Sequence, residues 1–308
     1  MTSVIEFRGA TRRFGRVVAL DAVDFVVAPG AVVGLAGRNG AGKTTALRLA
    51  LGLLWADAGE VRTLGLDPRR EGAALRRRVS ILSEESSLYG WMTVAETLAF
   101  AARIHPCWDA ALAKRLAGRL ELDPRAKVAA LSRGGKAKLS LALAAAPRPE
   151  LLLLDDPTAG LDPLARREVL QEIVDAVPAA GAVVYATHLV ADLERMADEV
   201  VFLDAGRVAL AGGVEELKRR VKRHEAVFDG EAPAALRPPG TIEVRAEGRA
   251  LVVVADGENG AAEAALRAAG ARSVETTTLP LEEIAVALLR GGRRESGAAD
   301  VWWEVEHV

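Results

Sequence analysis

The chain is short of cysteine, of histidines at metal-ligand spacing and of long apolar runs, and each shortage removes a class of function. Cys107 is the only cysteine in 308 residues, so an internal disulfide is impossible and a thiolate metal site has no second ligand. Four histidines, at 105, 188, 224 and 307, show no metal-ligand spacing. No apolar run approaches the roughly 20 residues that cross a bilayer. The strongest, 139–147 and 151–154, are far too short. Acid and base both occur within the first eight residues, which leaves no signal-peptide core there. A soluble, cytoplasmic chain is expected, with any membrane role exercised through a partner. A basic excess is missing too: net charge is −2, so nucleic acid is not an expected partner, because phosphate backbones reward strongly basic faces.

Half of the residues are hydrophobic, enough for a sizeable core, and the length suits two domains of unequal size. Residues 1–217 alternate short apolar strands with helical stretches, the pattern of an α/β domain on a mainly parallel sheet. VVGLAG (32–37), LLLLDD (151–156) and AVVYATH (182–188) are continuous apolar runs, suited to central strands buried on both faces. VIEFRGAT and AVDFVVAPG alternate instead, as half-exposed antiparallel strands do. From about 94 to 146 the pattern turns helical and rich in Ala, Leu and Arg, predicting an inserted helical subdomain. KRRVKRHE (218–225) reads as a linker. Residues 226–292 read as an accessory β/α domain: a strand at 226–229, strands TIEVRAEG and ALVVVADG, helix NGAAEAALRAAG, strand ARSVETTTL and helix PLEEIAVALLRGG. Residues 293–308 form an aromatic tail to which no role is assigned.

GRNGAGKT (37–44) fits G-x-x-x-x-G-K-[ST] and sits between a buried strand and a helical run. Gly37, Gly40 and Gly42 let the backbone curl so that several N–H groups face one anion, and the helix N-terminus adds its positive end. Asn39, Ala41 and Thr45 complete this cradle. Lys43 is positioned to reach the β- and γ-phosphates, and the Thr44 hydroxyl to ligate Mg²⁺. Lys43 is the only lysine in the first 113 residues, which argues against a compositional accident. LLLLDD ends a buried strand in two acids at the sheet's ligand crevice. Asp155 would hold Mg²⁺ through water, and Asp156 would orient or deprotonate an attacking water.

Further motifs narrow the choice among nucleotide hydrolases. LSRGGKAK (131–138) resembles the LSGGQ signature of the ATP-binding-cassette (ABC) ATPases. DDPTAGLDP (155–163) resembles that family's stretch from Walker B through the D-loop, and ATHLVADLERMADEVVFLDAGRV (186–208) its switch-histidine segment. The resemblance covers residues 3–215. It implies ATP and Mg²⁺ as ligands, with Phe14 stacking on adenine. Ser132, Arg133, Gly134 and Gly135 would face the γ-phosphate held by a second cassette, Asp162 would lie at that dimer interface, and His188 would sense the γ-phosphate. Phe14 also reads as an ordinary core ring, and Ser132 as a helix cap. One cassette cannot complete a site on this logic, so a second cassette is implied, in a homodimer or as a paired half. An integral membrane subunit is implied as well, with this chain peripheral on the inner membrane face.

This sequence departs from the family pattern at three places. Glu84 stands where a glutamine that contacts metal and water is usual, Asp156 where the catalytic acid is usually glutamate, and Arg133 and Gly135 where glycine and glutamine are commoner. Glu84, the variant signature and the PLEEIAVALLRGG ending resemble a bacterial branch of drug, antibiotic and sodium exporters whose membrane subunit is a separate chain. Asp156 carries its carboxylate about 1.3–1.5 Å shorter than glutamate, a misplacement worth on the order of 100-fold in rate; the expectation is either slow hydrolysis or action of Asp156 through an intervening water. Tyr89, Trp91 and Trp108 are candidate docking anchors for the membrane subunit, and read equally well as core. Two alternatives stay open: a soluble ABC ATPase without a membrane partner, and a hydrolysis-impaired regulatory half.

Overall fold

The computed structural model describes residues 3–83, 88–176, 181–257 and 260–296 and divides into two compact units, Met1–Gly212 and Gly213–Val308. In the first unit, β1 (Ile5–Phe14), β2 (Val17–Val27) and β4 (Ala58–Thr63) make an antiparallel sheet with β1 in the middle. Phe7 and Phe25 stack across it on its buried face.

The main sheet comprises β3 (Val32–Ala36), β5 (Val79–Leu82), β6 (Leu151–Asp155), β7 (Ala182–Thr187), β8 (Glu199–Asp204) and β9 (Arg207–Gly213), ordered β5-β6-β7-β3-β8-β9. Pairs β5/β6, β6/β7, β7/β3 and β3/β8 are parallel. Every residue of β6 and β7 is buried, which is why these strands are unbroken apolar runs rather than alternating ones. Parallel pairing aligns the carboxyl ends of β3, β6 and β7 along one edge, and the motif residues follow those ends.

Helices α1 (Lys43–Ala50), α2 (Pro68–Leu75), α6 (Pro163–Ala176) and α7 (Val190–Met196) accompany this sheet. Between residues 94 and 146 lie α3 (Val94–Ile104), α4 (Ala110–Arg119) and α5 (Arg133–Ala145). Each starts at a side-chain cap: Thr93 in a capping box with Glu96, Asp109 on Leu112 N–H, and Ser132 on Gly135 N–H. Val94, Leu112, Leu116, Leu120 and Leu139 form their core. Leu139 is fully buried, so truncating it to alanine would cost about 2–5 kcal/mol. The buried Glu172 carboxylate on α6 pairs with Arg119 of α4 at 2.7 Å.

The second unit holds α8 (Val214–Arg220), β10 (Val221–Val227), β11 (Thr241–Glu247), β12 (Ala250–Asp256), α9 (Ala261–Ala268), β13 (Ser273–Thr278) and α10 (Leu281–Ser296). Its antiparallel sheet runs β11-β12-β10-β13. Residues 218–225, expected as a linker, are instead the end of α8 and most of β10; the strand expected at 226–229 starts earlier and ends at Val227. The reason is central pairing: β10 is hydrogen-bonded on both edges and buries Val221, His224 and Ala226. Its charges are answered by residues far along the chain, such as Glu283 on Arg223 at 2.6 Å. Among the described residues no helix is long and apolar enough to cross a membrane. The aromatic tail lies outside the described residues.

Candidate functional site

The loop between β3 and α1 is shaped by two glycines that tolerate no side chain. At Gly42, φ is +106° and an added Cβ would stand 2.5 Å from the Ala19 carbonyl oxygen. At Gly37 it would stand 2.5 Å from that of Leu203. Gly42 caps α1 without any side-chain hydrogen bond, so the first-turn N–H groups keep their capacity for an anion. Asn39 and Gly40 are exposed at the loop tip, Ala41 is buried beneath it, and Thr45 is half-buried in the first turn of α1. Lys43 is buried and donates from Nζ to the carbonyls of Gly37 (2.7 Å) and Arg38 (3.1 Å). The loop thus holds its own ammonium at the cradle.

Thr44 Oγ1 donates to Asp155 Oδ1 at 3.0 Å, bringing α1 and the end of β6 together across 111 residues of sequence. Burial, the largest cause, pushes the Asp155 carboxyl above its ordinary range. The Thr44 hydrogen bond and Lys43 oppose the shift, and the neighbouring Asp156 adds to it. A desolvated carboxylate beside a hydroxyl oxygen is the donor chemistry that a small hard cation selects.

Asp156 follows with φ +43°, a left-handed conformation that aspartate tolerates better than most residues. That turn carries its side chain across to the end of β7, where Oδ1 accepts from the His188 backbone N–H (3.3 Å) and contacts His188 Nδ1 (3.1 Å). A carboxylate only accepts hydrogen bonds, so in this contact Nδ1 is the donor. The imidazole itself is exposed, while Asp156 is largely covered.

The signature residues gather elsewhere. Ser132 Oγ accepts from Gly135 N–H at 3.0 Å, which is the capping alternative left open by the sequence. Gly134 packs beside Leu161 and Ala165. The Arg133 guanidinium lies over Gly160, itself at φ +67°. Asp162 caps α6, accepting from Leu164 N–H and Ala165 N–H at 3.0 Å each; the Ala165 bond foremost holds its carboxyl below the usual range. Residues 132–135 make no hydrogen bond or ion pair with residues 37–45, Asp155, Asp156 or His188. Phe14 ends β1 with its ring 44% exposed and the Arg12 guanidinium 4.8 Å from the ring centre; it is not a core ring. Glu84 lies outside the described residues.

One group of residues escaped the motif reading. Thr158, Tyr185 and Asp192 are all buried. Thr158 Oγ1 lies 2.9 Å from Tyr185 Oη, and Asp192 Oδ2 accepts from Thr158 (3.0 Å) and Tyr185 (3.2 Å). The trio ties the segment after Asp156 to β7 and to the helix after His188. Each member alone is an unremarked strand, loop or helix residue, and only the topology unites them.

The family model described as ABC transporter matches residues 20–159. The chain is 29% identical over 292 residues to the ABC transporter ATP-binding protein YtrB of Bacillus subtilis (strain 168), covering 94% of this chain and 100% of that protein. It is 33% identical over 221 residues to the Nod factor export ATP-binding protein I of Ralstonia nicotianae, covering 70% of this chain and 69% of that one. A solved structure of the ATP binding subunit of an ABC transporter superposes with a TM-score of 0.64 at 29% identity, over 70% of this chain and 92% of that one. The phosphate loop, the signature and the paired acids all fall inside the matched region, and this chain belongs to the ATP-binding proteins of the ABC transporter family.

Proposed function

We propose that the chain is the ATP-hydrolysing subunit of an ABC exporter, working as a head-to-tail pair of cassettes on the inner face of the membrane beneath a separate membrane subunit. The observation that carries this reading is the division of the chemistry. Lys43, Thr44, Asp155, Asp156 and His188 converge at one edge of the main sheet, while Ser132–Gly135 make no polar contact with them. A signature presented away from its own phosphate cradle suits the nucleotide of a second copy. The export direction draws on the printed name of the Nod factor export relative. The length of the match to YtrB supports counting the second unit as part of the working protein.

In this mechanism Phe14 stacks on adenine with Arg12 at its side, and the phosphates lie on the N–H groups of residues 39–45. Lys43 Nζ turns from the loop carbonyls toward the β- and γ-oxygens. Thr44 and Asp155 fit Mg²⁺: two hard oxygens 3.0 Å apart, one of them a desolvated carboxylate that a cation would relieve. The ion, when bound, neutralises charge on the β- and γ-phosphates, and Glu84 is a further candidate for its surroundings. Asp156 accepts the hydrogen bond of the attacking water, orients it and receives its proton. The water oxygen bonds to the γ-phosphorus as the bond to the β–γ bridging oxygen breaks, leaving ADP and inorganic phosphate. His188, oriented by its contact with Asp156, reads the γ-phosphate. Ser132, Arg133, Gly134 and Gly135 of the other copy complete the site, with Asp162 at the seam. Closure of the pair is a two-state change driven by differential nucleotide affinity. Hydrolysis is slow because the Asp156 carboxylate is short and already engaged by His188.

Mixing two inactive variants tests the arrangement. Lys43→Ala and Ser132→Glu chains should each be inactive alone. An equal mixture should recover about a quarter of wild-type activity, since random pairing makes about half of the pairs mixed and each has one intact site. A mixture no more active than its parts would overturn the head-to-tail reading.

A further inference from the structure

The second unit contains a cavity of about 390 Å³, within the roughly 300–1,000 Å³ that small-molecule sites occupy. Its lining comes entirely from that unit and includes Arg219, Lys222, His224, Gly260, Glu263 and Thr276. None of these enters the nucleotide chemistry above.

The deepest polar group is His224, 5% exposed at the centre of β10. Its register partner on β13 is Thr276, and His224 Nδ1 lies 3.0 Å from Thr276 Oγ1. Thr276 in turn donates to Glu263 Oε2 at 3.4 Å, and Arg267 holds the Glu263 carboxyl below its usual range as an ionised acceptor. Glu263 can only accept, so the Thr276 proton points to it, and the Thr276 oxygen is left to accept from Nδ1–H. The other ring nitrogen, Nε2, is then a bare acceptor, and no described residue bonds to it. Burial lowers the affinity of His224 for a second proton, in keeping with a neutral ring.

Among the described residues, the charges around the cavity do not balance. Glu263 is matched by Arg267, and Arg220 is matched by Asp256 and Glu216. Arg219 pairs with no described residue, and Lys222 Nζ reaches only the Lys218 carbonyl, at 3.3 Å. Among the described residues, two cations therefore remain without counter-charge. The first turn of α9 also lines the cavity, and its cap, Gly260, offers no side chain to its N–H groups. Cations and free N–H groups select an anion, while an unpartnered acceptor in the cavity lining selects a hydrogen-bond donor.

We propose that this cavity is a binding site for a small phosphate- or carboxylate-bearing metabolite that also carries a hydroxyl. The anionic group is held by Arg219, Lys222 and the first turn of α9, and the hydroxyl donates to His224 Nε2. The site is independent of the nucleotide site and of the reading given for it.

The test uses the full chain with isotope-labelled histidine, whose few ring signals are resolved by NMR, His224 being assigned with His224→Asn. Glycerol 3-phosphate and malate are titrated as the two hydroxylated anions, against inorganic phosphate and glycerol. His188 reports any occupation of the phosphate loop separately. The His224 signals should move saturably with at least one hydroxylated anion at millimolar concentration or below. Inorganic phosphate should bind about tenfold more weakly, and glycerol should have no effect. The surface pair Arg219→Gln/Lys222→Gln should weaken the response at least about tenfold and leave ATP binding intact. Either anion alone supports the proposal and identifies the acidic group. A His224 signal that moves with neither, or that moves equally in the double variant, overturns it.

Discussion

Lengthening Asp156 by one methylene should make the enzyme faster. In the structure the Asp156 carboxylate is drawn toward His188, with Oδ1 3.1 Å from Nδ1 and 3.3 Å from the backbone nitrogen. The backbone turns through φ +43° to achieve this. A glutamate at this position would advance its carboxylate by about 1.5 Å, one carbon–carbon bond. An error of about 1 Å in a reacting group costs roughly 100-fold, so Asp156→Glu should raise kcat by about 10–100-fold with little change in KM. A smaller penalty is expected in stability, because glutamate is less at home than aspartate in a left-handed turn; about 0.5–1 kcal/mol covers that difference. The assay is steady-state phosphate release from MgATP by the purified chain at several protein concentrations, with Lys43→Ala as the blank and urea unfolding run alongside. Unchanged or lower kcat with intact ATP binding would refute the argument. The limit would then lie in pairing or in the partner, not in carboxylate reach.

Other perturbations probe separate links. Asp155→Asn should abolish phosphate release yet stabilise the nucleotide-free chain at neutral pH. The native carboxyl is raised by burial, so its ionisation costs stability as pH rises from the unfolded carboxylate range through the folded value, and the amide avoids that cost. The Tm advantage of Asp155→Asn should therefore shrink as pH is lowered into that range, and a constant advantage would contradict the sign. Tyr185→Phe removes a donor from buried Asp192 and should cost about 1.5–3 kcal/mol in urea unfolding; a neutral result would mean the trio carries no stability. Trp91 is 69% exposed, its ring 5.9 Å from that of Tyr89, which contacts Phe100. Trp91→Ala should abolish co-purification with a membrane subunit while leaving ATP binding within about twofold, and an unchanged complex would refute this docking surface. Trp108 is half-buried and a weaker candidate.

The parts legible in the sequence were those whose physics is local or repeats along one element. β6 and β7 announced themselves because burial on both faces demands an unbroken apolar run. The phosphate loop did so because its turn excludes side chains at Gly37 and Gly42. β10 was misread because its charged and polar residues mimic a solvated linker, and the groups that answer Arg223 and His224, Glu283 and Thr276, come tens of residues later. The same distance hid the Thr158–Tyr185–Asp192 trio. The placement of Arg133 over Gly160 was equally hidden, since composition does not tell which loop a long cation will cover.

The contact between Gly42 and the Ala19 carbonyl has a further consequence. Gly206 abuts the same Ala19, and Asp21 bonds through its N–H to the Gly206 carbonyl and through its carboxylate to Arg207. β2 is thereby gripped between the phosphate loop and the β8–β9 turn, a few residues from the hairpin that pairs Val17 with Phe14. The proposed base platform and the proposed phosphate cradle are in effect the two jaws of a caliper whose spacing is set by backbone against backbone. On that proposal the gauge would select the length of a nucleotide rather than the identity of its base, and surface substitutions would leave its setting untouched.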